Sequence, residues 1–256
     1  MMKADYESIL FRIREDPMAR LGRIDVHLTA SYMVGYESAR VAWCQPPLPM
    51  RLNVDRLREW QESKVHLCRQ NLQGFSRFAT DTDEEALQLF FGLYESALND
   101  CKLDLIDQNF FIESVDASSV EQTTSLVEML IEPIRTRPAL YFGNRSWMAS
   151  QWAFCNGYLE AEADMNIEAS SDRKLMSKFQ DWVVERYRVP KDRSWAKIYE
   201  FQSLDSNQGA FDLFFEDFEL FQAGKTVDSP AKWVTEAIQK ILEKEGRDKG
   251  EGTSKK

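Results

Sequence analysis

Carboxylates are the most abundant ionisable side chains in this chain that could take part in chemistry. Residues 81–100, 160–172 and 205–219 each contain several Asp and Glu residues and no Lys or Arg. Two carboxylates that flank a sugar can hydrolyse a glycosidic bond, one as the acid and the other as base or nucleophile. These acids instead occur in runs, which are typical of a solvated helix face or of a surface that attracts a basic partner.

Other groups for acid–base or nucleophilic catalysis are scarce. The chain has two histidines, His27 and His66, and no Ser or Cys in a recognisable nucleophile motif. The sequence motifs of phosphate-binding loops, dinucleotide-binding folds and common zinc peptidases do not occur. His66 lies two residues before Cys68, but this pair supplies too few ligands for a metal. The sequence therefore predicts no catalytic residue, no metal site and no cofactor, and a protein that is not an enzyme.

The composition is that of an acidic globular chain. Its 256 residues include 42 Asp and Glu against 32 Lys and Arg, a formal net charge of −10. Such a surface repels nucleic acid and anionic lipid, so neither is expected as a partner. With no apolar leader and no run of 18 apolar residues, we expect a cytoplasmic protein. Its four cysteines form no C-x-x-C pair and are expected to be reduced, mostly buried thiols.

Glycine, proline and aromatic landmarks recur along the chain at a nearly constant offset. The matched residues are Pro17 and Pro138, Gly22 and Gly143, Gly35 and Gly157, Tyr36 and Tyr158, and Trp60 and Trp182. The offset drifts only from 121 to 124, the last value relating residues 86–91 to residues 210–215. We therefore expect two tandem copies, residues 6–98 and 126–222, with a connector at 99–125 and a C-terminal segment at 223–256. Whether the copies form separate domains or share one core is left open.

The apolar residues of each copy follow a helical period. In residues 205–222 the apolar stripe contains one acid, Asp217, and in residues 174–187 the apolar side contains Arg186. Residues 74–80 and 194–203 fit either a helix or a buried strand, with the helix preferred. We predict a mostly α fold with about four helices per copy. A further helix is expected from Ser229–Pro230 to before Gly246, followed by a disordered tail.

The second copy carries a recognisable pattern of landmarks. It reads R-P-x-x-Y-x-G at 137–143, G-Y at 157–158, W at 182, S-W-x-x-I at 194–198 and A-x-x-x-F-F at 210–215. This pattern, within residues 134–218, resembles a family of small bacterial cytosolic proteins, some encoded beside polymorphic toxins. The first copy matches loosely, because Arg20 stands where the second has Tyr141 and the Ser–Trp pair is absent.

The resemblance implies an immunity protein, a non-catalytic inhibitor that binds one cognate toxin domain. No binding residue transfers with it, because the landmarks are Gly, Pro and aromatic positions that explain folding equally well. For an inhibitor of the kind that the resemblance implies, the acidic runs predict a basic partner held by a desolvated centre and an acidic rim. The first-choice candidates for toxin binding are Asp212, Glu216, Asp217 and Glu219. The second-choice candidates are Glu160, Glu162 and Asp164. The alternative is a helical adaptor or chaperone for a secreted effector, and an enzyme without a familiar motif comes third.

Overall fold

A computed structural model describes residues 5–46, 48, 54–65, 72–101, 123–143, 146–167, 170–204 and 206–225. All regular structure in these ranges is helical, which confirms the mostly α prediction. The described residues divide into two compact units between Lys174 and Leu175, here called unit 1 and unit 2. This division falls inside a helix and does not coincide with the connector at 99–125.

Unit 1 contains nine complete helices in its described part. They are α1 Tyr6–Glu15, α2 Pro17–Leu21, α3 Leu28–Ala42, α4 Val54–Val65, α5 Leu72–Phe78, α6 Asp83–Asp100, α7 Leu126–Met129, α8 Pro138–Phe142 and α9 Trp147–Asp164. A π-helical turn, Leu130–Ile134, continues α7 and includes Pro133, which has no amide hydrogen for an α-helical ladder. Helix α10, Ser171–Tyr187, crosses into unit 2, which also contains α11 Trp195–Gln202 and α12 Asn207–Gln222.

Short breaks in the chain are set by local residue chemistry. Pro17 and Pro138 each occupy the first turn of a five-residue helix, where a missing amide hydrogen breaks no helical bond. These helices end at Gly22 and Gly143, whose φ angles of 76° and 65° favour glycine. Across the described part of residues 6–100 there are six helices, α1 to α6, where about four were expected in the first copy. The five-residue helices are too short to show a helical period.

Helices α3 and α9 of unit 1 cross at two glycines, where their backbones come very close together. A Cβ atom at Gly35 would lie 2.0 Å from the carbonyl oxygen of Phe154, and one at Gly157 would lie 2.0 Å from that of Tyr32. Any side chain at either glycine would separate the two helices. The neighbouring Tyr36 and Tyr158 are fully buried.

Unit 2 is built around an aromatic core. The Phe179 ring of α10 makes edge contacts with Phe214 and Phe218 of α12, with centroids 5.4 Å and 4.9 Å apart. Trp195 of α11 lies 5.0 Å from Phe214 on the same measure. Helix α11 confirms the preference for helix over strand in residues 194–203, as α5 does for residues 74–80. The core joins all three helices of the unit.

The expectation for the cysteines is confirmed only in part. Of the three described cysteines, all free, Cys155 is buried, Cys101 is half-buried and Cys44 is exposed, so the expectation of mostly buried thiols holds for one of them. None of the described helices combines the length and apolar character needed to cross a membrane. The segments for which a C-terminal helix and a disordered tail were expected lie outside the described residues, as do Cys68, His66 and most of the connector.

Candidate functional site

Helix α12 presents three acids on one exposed face, here called the acidic stripe: Asp212, Glu216 and Glu219. The helix starts after Ser206, whose hydroxyl accepts a hydrogen bond from the Gly209 amide at 3.1 Å. At about 100° per residue, the three acids lie within roughly 60° of one another around the helix axis. The opposite side of α12 packs into the aromatic core, and this packing holds the helix backbone that carries the stripe.

Asp217 does not belong to this surface, contrary to the prediction. It is 1% exposed, and its carboxylate contacts Arg186 Nη2 at 2.9 Å. The hydroxyls of Tyr187 and Tyr199 donate to its other oxygen at 2.8 Å and 3.1 Å. Asp217 lies about 140° around the helix from Asp212, which points it into the core. Burial raises the pKa of this carboxyl, and the hydrogen bond from Tyr187 and the charge of Arg186 oppose the rise.

Glu162 was also expected on the surface and is fully buried. It accepts hydrogen bonds from the Ser170 hydroxyl at 2.6 Å and the Trp43 indole at 3.4 Å. Burial raises the pKa of this carboxyl. Glu162 lies two residues after Glu160, which places it about 200° around α9 and on the inner side. The assignment of Asp217 and Glu162 to a toxin-binding surface was therefore wrong.

Glu160 and Asp164 of α9 are partly exposed and already engaged within unit 1. Arg12 bridges them, with nitrogens 2.9 Å from Glu160 and 2.6 Å from Asp164. Tyr36 donates to Asp164 at 2.5 Å, and Tyr32 donates to Glu160. Both tyrosine pKa values are raised, first by burial and then by these carboxylates. This network joins α1, α3 and α9, so its carboxylates have a structural role in the free chain.

The basic partners of these acids were not identified from sequence as a site. Arg12 and Arg20 occur near the start of the chain, more than a hundred residues from Glu160, and no spacing relates them. Arg186 and Asp217 did carry a signal, because each is a charged residue inside an apolar helical stripe. Opposite charges in two such stripes indicate a buried pair.

Comparison with family models, with curated proteins and with solved structures finds no match for this chain. The family resemblance seen in residues 134–218 therefore stays a prediction. Within the described ranges, no group of three or more His, Cys, Asp or Glu residues is placed to hold a metal ion. The acidic stripe thus remains as the group of predicted site residues that is both exposed and clustered.

A second surface feature lies between the π-helical turn and α8. Ile131, Pro133, Leu140 and Tyr141 contribute apolar side chains to an open depression, and Arg137 and Glu132 contribute charged ones. Leu140 is largely exposed at its edge. Such a depression can accept a short apolar segment of another protein.

Proposed function

We propose that this chain is a cytoplasmic immunity protein that binds one basic toxin domain and neutralises it without catalysis. The observation that carries the proposal is the acidic stripe of α12, three exposed carboxylates on one face of a packed helix. A negative face of this kind steers a basic partner during diffusional encounter and disfavours acidic ones. Because the helix is held by the aromatic core, its backbone needs no ordering on binding.

The other acids contribute differently. Asp217 and Glu162 act inside the fold, where they accept hydrogen bonds and, for Asp217, an ion pair. Glu160 and Asp164 are bridged by Arg12, so their charges are largely compensated before any partner arrives. The proposed toxin-binding acids therefore reduce to Asp212, Glu216 and Glu219.

The proposal includes an internal duplication of the chain. Local features support it: in both stretches the second helix has five residues, begins at a proline and ends at a positive-φ glycine, and a helix of at least 15 residues follows it. The crossing of α3 and α9 is reciprocal, since Gly35 meets Phe154 and Gly157 meets Tyr32, and each pair maps onto the other at an offset of 122. Such reciprocity is what a two-fold interface between identical copies would have.

The alternative function, an adaptor or chaperone for a secreted effector, is favoured by the depression beside α8. An exposed Leu140 next to Ile131 and Tyr141 suits an apolar peptide segment better than a charged folded domain. In this case the chain would bind a full-length effector and leave its toxicity unchanged.

The first test combines capture with growth. The tagged full chain is used to capture proteins from its source cells at moderate salt, and each candidate domain is then expressed alone and with the chain. Immunity requires a domain that stops growth by itself and is tolerated when the chain is present. An effector that is bound while its toxicity persists supports the adaptor function and contradicts immunity.

The stripe itself is tested by charge reversal. In the triple variant Asp212→Lys, Glu216→Lys and Glu219→Lys, affinity for the toxin domain should fall and depend less on salt. The matched control is Glu15→Lys, Glu59→Lys and Glu62→Lys, three exposed acids of unit 1 with the same change in net charge. Equal losses in both triple variants would mean that net charge alone matters, and the stripe assignment would be abandoned.

A further inference from the structure

The parts of the chain before and after residues 102–122 meet within unit 1, and we call them the N-terminal half and the C-terminal half. Helices α1 to α6 belong to the N-terminal half, and α7 to α9 begin the C-terminal half. The backbones of the two halves come very close together at Gly35 and Gly157. The side-chain amide of Asn156 in α9 also donates to the Arg20 carbonyl of α2 at 3.0 Å. The two halves therefore share an interface.

The charges at this interface are divided between the halves. Arg12 of the N-terminal half donates to both carboxylate oxygens of Asp164, with Nη1 at 3.2 Å and Nη2 at 2.6 Å. It also lies 2.9 Å from Glu160, and Arg20 Nε lies 3.3 Å from the other oxygen of Glu160. These four side chains are between 21% and 30% exposed, so water screens their charges only in part. Bidentate pairs of this kind are strong and depend on orientation.

Two phenols of the N-terminal half complete the interface network, which consists of these four charged residues with Tyr32 and Tyr36. Tyr32 donates to Glu160, and Tyr36 donates to Asp164 at 2.5 Å. Each carboxylate of the C-terminal half thus meets both a cation and a phenol of the N-terminal half. Recognition runs in one direction, because these cations and phenols lie in one half and the carboxylates in the other.

Two C-terminal halves would not reproduce the interface network. At the repeat offsets of 121 and 122, the positions of the two arginines and of Tyr32 are occupied by Pro133, Tyr141 and Phe154. None of these three residues carries a charge. In a pair of C-terminal halves, every carboxylate of the network would be partly covered without a cation, which costs free energy.

Two N-terminal halves would fail for the opposite reason. Ser38 and Ala42 stand where the C-terminal half has Glu160 and Asp164, at the offset of 122. The arginines of such a pair would meet no carboxylate there. Unpaired charges of this kind disfavour a wrong partner. This comparison of like halves rests on the internal duplication included in the proposed function, whereas the observed contacts between unlike halves do not.

We propose that this interface fits one kind of partner, the complementary half of this protein, taken from its own chain or from a second copy, and that the interface network selects it. The glycine crossing is the same in every pairing of halves, so it provides close packing without choice. The division of cations and carboxylates provides the choice, because charged groups at an interface contribute specificity more than affinity.

In the original chain each half pairs with its own complement. The covalent link keeps the two halves at a high effective concentration, so we expect a monomer. Fully extended, residues 102–122 would span about 70 Å, so their length allows an exchange of halves between two copies.

The proposal is tested with two full-length variants whose networks contain one sign of charge. The acidic variant carries Arg12→Glu and Arg20→Glu, and the basic variant carries Glu160→Arg and Asp164→Arg. Each should unfold at a lower urea concentration than the original chain, because like charges face each other. Refolded together from urea, they should form a heterodimer in which each half meets its opposite charge in the other chain. Light scattering and native mass spectrometry measure this species.

The heterodimer should be the main species of the mixture and should unfold at nearly the urea concentration of the original chain. If either variant does not fold alone, joint refolding still gives the answer. A mixture without heterodimer, whether it contains monomers or aggregates, would overturn the proposal. That failure would leave toxin binding by the acidic stripe untouched, since the stripe has its own charge-reversal test.

A matched control has the same charge changes at exposed positions. One control variant carries Arg56→Glu and Arg58→Glu in α4, and the other carries Asp181→Arg and Glu185→Arg in α10. Asp181 and Glu185 have the same four-residue spacing as the carboxylates of the network. Each control should be monomeric, alone and in the mixture. As much heterodimer in the controls as in the test pair would mean that net charge alone drives association, and the proposal would fail.

Cleavage identifies which halves are paired in the heterodimer. A protease recognition sequence replaces residues 109–114 in both variants, and the heterodimer is cut there after joint refolding. We expect two complexes of the size of one chain, each containing the N-terminal half of one variant and the C-terminal half of the other. Complexes of two like halves would contradict the selection by the network and the correspondence of positions that the duplication supplies.

Discussion

Arg186 and Asp217 form an ion pair inside unit 2, with Nη2 of the arginine 2.9 Å from Oδ1 of the aspartate. The pair joins α10 to α12, and the guanidinium also lies 5.2 Å from the centre of the Trp182 ring. Two tyrosine hydroxyls complete the coordination of the carboxylate. Asp217, which was expected to contact a toxin, therefore links α10 to α12 inside unit 2.

Replacing Asp217 by Ala should destabilise the protein by about 3 kcal/mol, because the mostly covered guanidinium of Arg186 would lose its counter-charge. Glu216→Ala, at the neighbouring exposed position, should change stability by less than about 0.5 kcal/mol. Urea unfolding followed by circular dichroism measures both. A loss below about 1 kcal/mol in Asp217→Ala would mean that the pair has no structural role.

Glu162→Gln should change how stability depends on pH. Burial raises the pKa of Glu162 above its unfolded value, so the folded state binds this proton more tightly than the unfolded state does. Its contribution to stability is fully present below the unfolded pKa of about 4.3 and is lost as pH rises through the folded pKa. The Gln variant has no such loss, so its stability relative to the original chain should increase with pH. Urea unfolding at several pH values, with Glu216→Gln as the exposed control, measures this; a flat difference would contradict it.

Gly35→Ala should destabilise the protein by about 3 kcal/mol or more. Its Cβ would lie 2.0 Å from the Phe154 carbonyl oxygen, a backbone atom that cannot rotate away. Gly92 offers the matched control, since a Cβ there meets nothing within 4 Å on exposed α6. Gly92→Ala should stabilise by about 0.5–1 kcal/mol through helix propensity. Thermal unfolding compares them, and similar shifts in the two variants would contradict the close crossing of α3 and α9.

The described thiols should differ strongly in reactivity. Cys44 is exposed and should react promptly with a thiol reagent in the native protein. Cys155 is buried, and burial raises its thiol pKa, so it should react only after unfolding. Labelling with and without denaturant, located by peptide mass spectrometry, tests this order. Prompt native labelling of Cys155 would show that α9 opens readily.

Local residue patterns were sufficient for most of the helices. The apolar period of residues 205–222 predicted α12, and that of residues 174–187 predicted most of α10. A helical period relates residues three or four positions apart, so it can be read from the sequence without knowing the fold. The number of helices was underestimated because a five-residue helix has too few positions to display a period.

Which acid reaches solvent was decided by tertiary packing. Glu216 and Asp217 are adjacent and chemically alike, yet one is exposed and the other is buried against Arg186, Tyr187 and Tyr199. The position of Asp217 in an apolar stripe hinted at burial, but the partner that makes burial tolerable comes from another helix. Arg12 with Asp164 is a stronger case, since 152 residues separate them.

The sequence by itself determined that the chain is helical and acidic, and it contains the landmarks of two similar stretches. Only the tertiary structure decided which carboxylates are exposed and which are buried against partners from other helices. The reason is that helix formation depends on local spacing, whereas burial and charge compensation depend on contacts between residues far apart in the chain.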